Sequence, residues 1–155
     1  MENMNIGEAL SLLKKEKSRM ARLINLRKDN VYVEEGKKLE FNPKTLSEEI
    51  NVKIDEIRKL KIRIARTNLD SEISGEKINL AEAIIKVGDI RSKMAHLNNL
   101  FERKRSSWYG EKETRNFVAQ LDEAEIENEI EKLEIEKAKL DNKIQMTNWN
   151  TKLLD

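Results

Sequence analysis

The sequence predicts an all-α protein: an antiparallel four-helix bundle built from two duplicated helical hairpins. Three observations predict it. Four stretches place apolar residues at spacings of three and four, the period of a helix face. Glycine and proline number 5 and 1 in 155 residues, too few for the turns of a sandwich, a barrel or a dinucleotide-binding fold. The same short motifs occur in the same order in both halves of the chain.

The first helix is expected from about Ile6 to Arg27, with the stripe Ile6, Leu10, Leu13, Met20 and Ile24. A second is expected from about Ser47, read as its N-cap, to Thr67, with Ile50, Ile54, Ile57 and Ile64. Between them, Val31 to Phe41 alternates apolar residues around Gly36, and Pro43 closes the segment. A short β-hairpin at 31–41 and an irregular loop both fit that pattern. The third helix should start after the cap Asn79 and carry Leu80, Ile84, Val87, Met94 and Phe101; the fourth should start near Asp122 and carry Ile126, Ile130, Leu133, Leu140 and Ile144. Ser74-Gly75 marks the turn between the halves.

Duplication shows at both ends of each half. Met4-Asn5-Ile6-Gly7-Glu8-Ala9-Leu10 reads against Ile78-Asn79-Leu80-Ala81-Glu82-Ala83-Ile84. Thr67-Asn68-Leu69-Asp70-Ser71-Glu72-Ile73 reads against Thr147-Asn148-Trp149-Asn150-Thr151-Lys152-Leu153. A hairpin is too thin to bury its stripe alone, so residues 1–155 are expected to form a single domain from halves 4–73 and 78–154.

Composition excludes several functions. With no cysteine there is no disulfide, thiolate metal site or thiol nucleophile, and the lone His96 reads as a structural histidine. No Walker loop, dinucleotide fingerprint or serine elbow occurs, and no carboxylate pair stands out. The expectation is a protein that is not an enzyme and uses no cofactor or metal. The 30 basic and 29 acidic side chains nearly cancel, so neither a nucleic acid polymer nor an anionic membrane is an expected partner. No apolar run approaches the length of a membrane span and residues 1–7 do not form a signal peptide. A soluble, cytoplasmic protein is expected. Apolar residues outside the stripes, among them Leu12, Leu23, Leu26, Leu60 and Ile135, point to a homo-oligomer.

Each stripe is interrupted once by a cation: Lys17, Lys61, Arg91 and Lys137. Pointing inward, the four would form a basic layer that needs an anionic ligand or carboxylates. Alternatively the stripe drifts there, Leu60, Ile62 and Ile135 take over, and the lysine stems reach solvent. The polar motifs are the stronger binding candidates. Arg63, Arg66, Thr67, Asn68 and Ser71 cluster at the end of the second helix; Thr147, Asn148, Trp149 and Thr151 cluster after the fourth. The loop 103–120 adds Arg105, Trp108, Tyr109 and Arg115. Guanidinium, amide, hydroxyl and indole are the groups that hold a phosphate, a ribose and a base. Thr and Asn at helix ends also cap carbonyls, and that reading stands beside the first. The two motif clusters should share one end of the bundle and the Tyr109 loop the other, so one pocket joins them only across subunits.

The opening Met4–Leu10, the Arg63-Ile64-Ala65-Arg66-Thr67-Asn68 segment and the closing Thr147–Leu153 together resemble the septicolysin family of small bacterial and phage helical proteins. The similarity extends over nearly the whole chain. That family has a Tyr-centred loop with a downstream Glu and a basic residue, matched here by Tyr109, Glu113 and Arg115; the basic residue expected directly before the Tyr is displaced to Arg105. The family name implies a cytolysin. The residue types imply instead a non-catalytic, oligomeric binder of a small anionic ligand. In a phage it would be a sponge for a nucleotide-derived immune signal, a cyclic nucleotide or an ADP-ribose derivative. A purely structural or partner-binding bundle is the third reading.

Overall fold

A computed structural model describes residues 4–101 and 118–155. Among them four helices follow one another: α1 (Ile6–Asp29), α2 (Pro43–Asp70), α3 (Leu80–Asn98) and α4 (Glu123–Asn150). The fold is all-α, and no β-structure beyond isolated bridges occurs among these residues.

The helix starts follow from local chemistry. Asn5 and Asn79 build the same capping box. Each amide oxygen accepts from the N3 backbone N–H, and the N3 carboxylate, Glu8 or Glu82, accepts from the cap N–H, at 2.8–2.9 Å. Four backbone donors that a helix start leaves unpaired are satisfied this way. Asp122 Oδ1 accepts from the N–H groups of Ala124 and Glu125 and caps α4.

The start of α2 differs from the expectation. Asn42 is the cap, accepting from Lys44 N–H at 2.9 Å, and Pro43 opens the helix instead of closing the loop. Proline fits the first helical position because its missing N–H would have had no partner there. Ser47 is therefore interior, and its hydroxyl donates to the Pro43 carbonyl. Likewise α3 stops at Asn98, and Phe101 lies beyond it.

Residues 31–41 form an irregular loop, which removes the hairpin alternative. A turn closes at Glu34–Lys37, where Lys37 N–H donates to the Glu34 carbonyl and Gly36 takes φ +84°. Positive φ at the third turn position belongs to a type II turn, whose twist does not match paired strands. Tyr32, Val31, Val33, Leu39 and Phe41 are all exposed, so no buried face sets a register.

The chain divides into two compact units. One takes Met1–Ser71 with Met146–Asp155, the other Glu72–Gln145. Within the first, α1 runs antiparallel to α2: Arg27 meets Ser47 and Glu16 meets Lys53. Within the second, Lys86–Glu136 and Lys93–Glu129 ion pairs set α3 antiparallel to α4. The cores combine Ile6, Ala9, Ile50, Ile57, Ile64 and Leu153 in one unit, and Ile73, Leu80, Ala83, Val87, Ile90, Leu133, Leu140 and Ile144 in the other. Each fully buried large aliphatic stabilises the fold by roughly 1.5–3 kcal/mol.

The stripes are rotated slightly from expectation. Ala9 and Ala83 are buried, while the neighbouring Leu10 and Ile84 are 41% and 45% exposed; Ile24 and Ile54 are also exposed. An alanine lets two backbones approach more closely than a leucine does, and the helix turns by one residue to use it.

Chemical denaturation distinguishes the two caps proposed for α2. Asn42→Ala should lose about 1 kcal/mol. Ser47→Ala should change stability by less than about 0.5 kcal/mol.

Candidate functional site

The polar motifs converge in the first unit, around the segment 151–155. The Leu153 N–H donates to the Met4 carbonyl at 2.8 Å, and Ile6 N–H donates to the Thr151 carbonyl at 3.1 Å. That fastens the segment to the entry of α1. On its other side lies α2. Thr67, 1% exposed, donates its hydroxyl to the Arg63 carbonyl and accepts from Leu154 N–H at 3.0 Å. Arg63 Nε donates to the Leu154 carbonyl, and its Nη2 meets the Asp155 carboxylate, both at 2.8 Å. Arg63 and Thr67 thus act as a clasp. The second unit repeats part of the arrangement: Ile73 N–H donates to the Ile78 carbonyl, and Glu72 bridges Asn79 as Lys152 bridges Asn5.

Helices α2 and α4 continue to Asp70 and Asn150, so Thr67-Asn68 and Thr147-Asn148 lie inside the final turns. The hydroxyl residue three places after each Asn stands at the helix end. Ser71 caps α2: its N–H and its hydroxyl both donate to the Thr67 carbonyl, at 3.0 and 2.6 Å. Thr151 N–H donates to the Thr147 carbonyl in the same way.

The two asparagines behave differently from the rest of the motif. Asn148 is 5% exposed and Asn68 half-buried, and the Oδ1 atom of each is buried with no hydrogen-bond donor. Thr147 is buried beside Asn148. Trp149 lays its indole on Gly7; a Cβ there would stand 2.8 Å from the ring carbons. Trp149 nevertheless remains 55% exposed. In the repeat, the residues equivalent to Gly7 and Trp149 are Ala81 and Leu69. Arg66 is exposed and makes no ion pair among the described residues.

The stripe cations do not form an interior layer. Lys17 and Lys61 are exposed, and Arg91 and Lys137, in the second unit, both approach Asp141, at 3.8 and 2.7 Å. Burying a cation costs several kcal/mol unless it is fully paired, and each stem reaches solvent or a carboxylate instead. Of the residues named to replace them, Leu60 packs against the core, whereas Ile62 and Ile135 stay exposed. Arg105, Trp108, Tyr109, Glu113 and Arg115 lie outside the described residues.

The gap in the α1 stripe is filled by Glu16, which the sequence reading missed. It is 8% exposed and pairs with Arg19 at 2.7 Å and Lys53 at 2.9 Å; Lys53 also meets Glu56. The Lys53 hydrogen bond and both nearby cations hold the Glu16 carboxyl below its ordinary value, against the opposing effect of burial. The hydrogen bonds that Lys53 donates to Glu56 and Glu16 raise it above its ordinary value. The signal was available: Glu16 lies seven residues from Ala9 and four from Met20, in the register that the structure uses.

Among the described residues no group of three or more His, Cys, Asp or Glu side chains could hold a metal ion. No helix among them is long and apolar enough to cross a membrane.

Residues 14–153 match the family of unknown function DUF6847. The chain belongs to this family. Its fold is similar to that of a functionally unknown conserved protein from Corynebacterium diphtheriae, seen in a crystal structure. The two are 30% identical over 98% of this chain and 99% of that one, with a TM-score of 0.87. No curated protein matches the sequence.

Two outcomes test this geometry. Gly7→Ala should destabilise the protein by roughly 1–3 kcal/mol through overpacking against the indole. Trp149→Leu, the residue at the corresponding position Leu69, should restore most of that loss in a double-mutant cycle, because the smaller side chain leaves room for the new Cβ. For Glu16, a depressed folded pKa means stability that is present above the ordinary carboxylate range and lost as pH falls through the depressed value. Denaturation from pH 7 downward should therefore show wild type losing its advantage over Glu16→Gln only in acid.

Proposed function

We propose that the protein binds a small, anionic, nucleotide-like ligand at the α2 and α4 ends and holds it without transforming it. The observation that carries this reading is the pair of buried amide oxygens, Asn68 Oδ1 and Asn148 Oδ1, left without donors at equivalent positions of both repeats. An unsatisfied buried acceptor costs roughly 1–3 kcal/mol. A packed chain has little reason to carry that cost twice in one motif. A carbonyl oxygen takes an N–H or an O–H, as a base amine or a ribose hydroxyl supplies. The open face of Trp149 offers stacking, and Arg66 offers an unpaired guanidinium for a phosphate. Arg63 and Thr67 support the site by holding segment 151–155. In the phage setting that the septicolysin resemblance implies, the protein would be a sponge for a cyclic nucleotide or ADP-ribose derivative in the cytoplasm, assembled from several copies.

A second reading, a structural helical scaffold, is favoured by the clasp itself, since Thr67 and Arg63 are both engaged within the chain.

Calorimetry with cyclic dinucleotides and ADP-ribose derivatives separates the two. At least one compound should bind wild type and be recovered intact. Asn68→Ala, Asn148→Ala and Arg66→Ala should each weaken binding by about 1–3 kcal/mol while helix content is kept. The scaffold reading stands instead if no compound binds and Asn148→Leu raises stability.

A further inference from the structure

The near-zero net charge conceals two opposite fields. Residues 9–28 carry seven cations and one carboxylate, and that carboxylate, Glu16, is buried. The charged groups exposed on α1 over this span are therefore all cations, of which Arg19 pairs with Glu16. Ser11, Lys14, Lys15, Ser18, Arg19 and Arg22 lie together on an open, shallow surface along it. Residues 122–136 carry eight carboxylates and one cation. Glu129 and Glu136 are paired with lysines of α3, but Glu127, Glu131 and Glu134 are exposed and make no ion pair among the described residues. They lie at spacings of four and three, on one face of α4.

We propose that the cationic face of α1 docks on the acidic face of α4 in a second copy of this chain. Neither face is covered by the chain that carries it. The dimensions agree: at 1.5 Å per residue, Lys14 to Arg22 spans about 12 Å and Glu127 to Glu134 about 10 Å. Opposed potentials of this kind steer encounter and set register. The small net charge leaves little overall repulsion between copies. Because one copy offers both faces, the contact forms either twice about a twofold axis, closing a dimer, or once per pair of copies, head to tail into a ring or an open chain. The inference is independent of the ligand site, since it uses no residue of the α2 and α4 ends.

Sedimentation and a mixing experiment test it. Wild type should form oligomers in about 0.01 M salt and dissociate in about 1 M salt, as the screening length falls from about 30 to about 3 Å. The basic-face variant Lys14→Glu/Lys15→Glu/Arg22→Glu and the acidic-face variant Glu127→Lys/Glu131→Lys/Glu134→Lys should each be monomeric, with the helix content of wild type. Mixed, they should associate, because the unaltered face of each, and its reversed face, meets opposite charge on the other. Neutral Gln replacements at the same positions should weaken assembly without a fold penalty. A wild type that stays monomeric at low salt, an oligomer unchanged by either variant, or a mixture that does not associate overturns the proposal. So does wild-type binding of an oligonucleotide that the basic-face variant loses while no oligomer forms, since the face then serves a polyanion.

Discussion

The hydroxyl of Thr67 joins two parts of the chain 87 residues apart, accepting from Leu154 N–H while donating to the Arg63 carbonyl one turn earlier. Segment 151–155 has no regular structure to satisfy its backbone, and each polar group buried unpaired would cost free energy. Thr67, Arg63 and the entry of α1 supply those partners. Once the segment is held, Leu153 fills the small cluster with Ala9 and Ile64. The end of α4 is then fixed against α1 and α2, and Asn148 and Trp149 take their places in the first unit.

The two repeats use the same device with different fillings. Capping boxes at Asn5 and Asn79 and backbone pairs at Met4–Leu153 and Ile78–Ile73 match bond for bond. One pair of positions differs in sequence: Gly7 lies under Trp149, while the corresponding residues of the other motif set are Ala81 and Leu69. Only the glycine leaves room for an indole. The duplication therefore supplies a shared frame, and one small-residue exchange gives the first unit an aromatic face that the sequence of the other lacks.

Charge follows the same logic of position over composition. Thirty cations and 29 carboxylates sum almost to nothing, yet burial removes the one carboxylate from the middle of α1. Glu16 is buried between Arg19 and Lys53, so the other cations of that span face solvent without a carboxylate from the same stretch beside them. A count over the whole chain cannot register this, because it gives equal weight to buried and exposed groups.

The helical period, the scarcity of glycine and proline, the caps Asn79 and Asp122 and the repeated motifs were legible in the sequence alone. Each is a local property, decided within a turn or two of helix. Tertiary structure decided what local rules leave degenerate. It chose Ala9 over Leu10 and Ala83 over Ile84 for the interior, because close helix approach favours the smaller residue. It put Glu16 and not Lys17 in the stripe, since Lys53 of α2 is there to pair it. It turned Pro43 from a terminator into a first helical residue and left 31–41 a loop, because no sheet or core face meets that segment. It also assigned the Thr-Asn motifs their separate roles. The threonine hydroxyl found a backbone partner 87 residues away, and the neighbouring amide oxygens found none. Spacing along one helix carries no information about which atoms a distant segment brings to it.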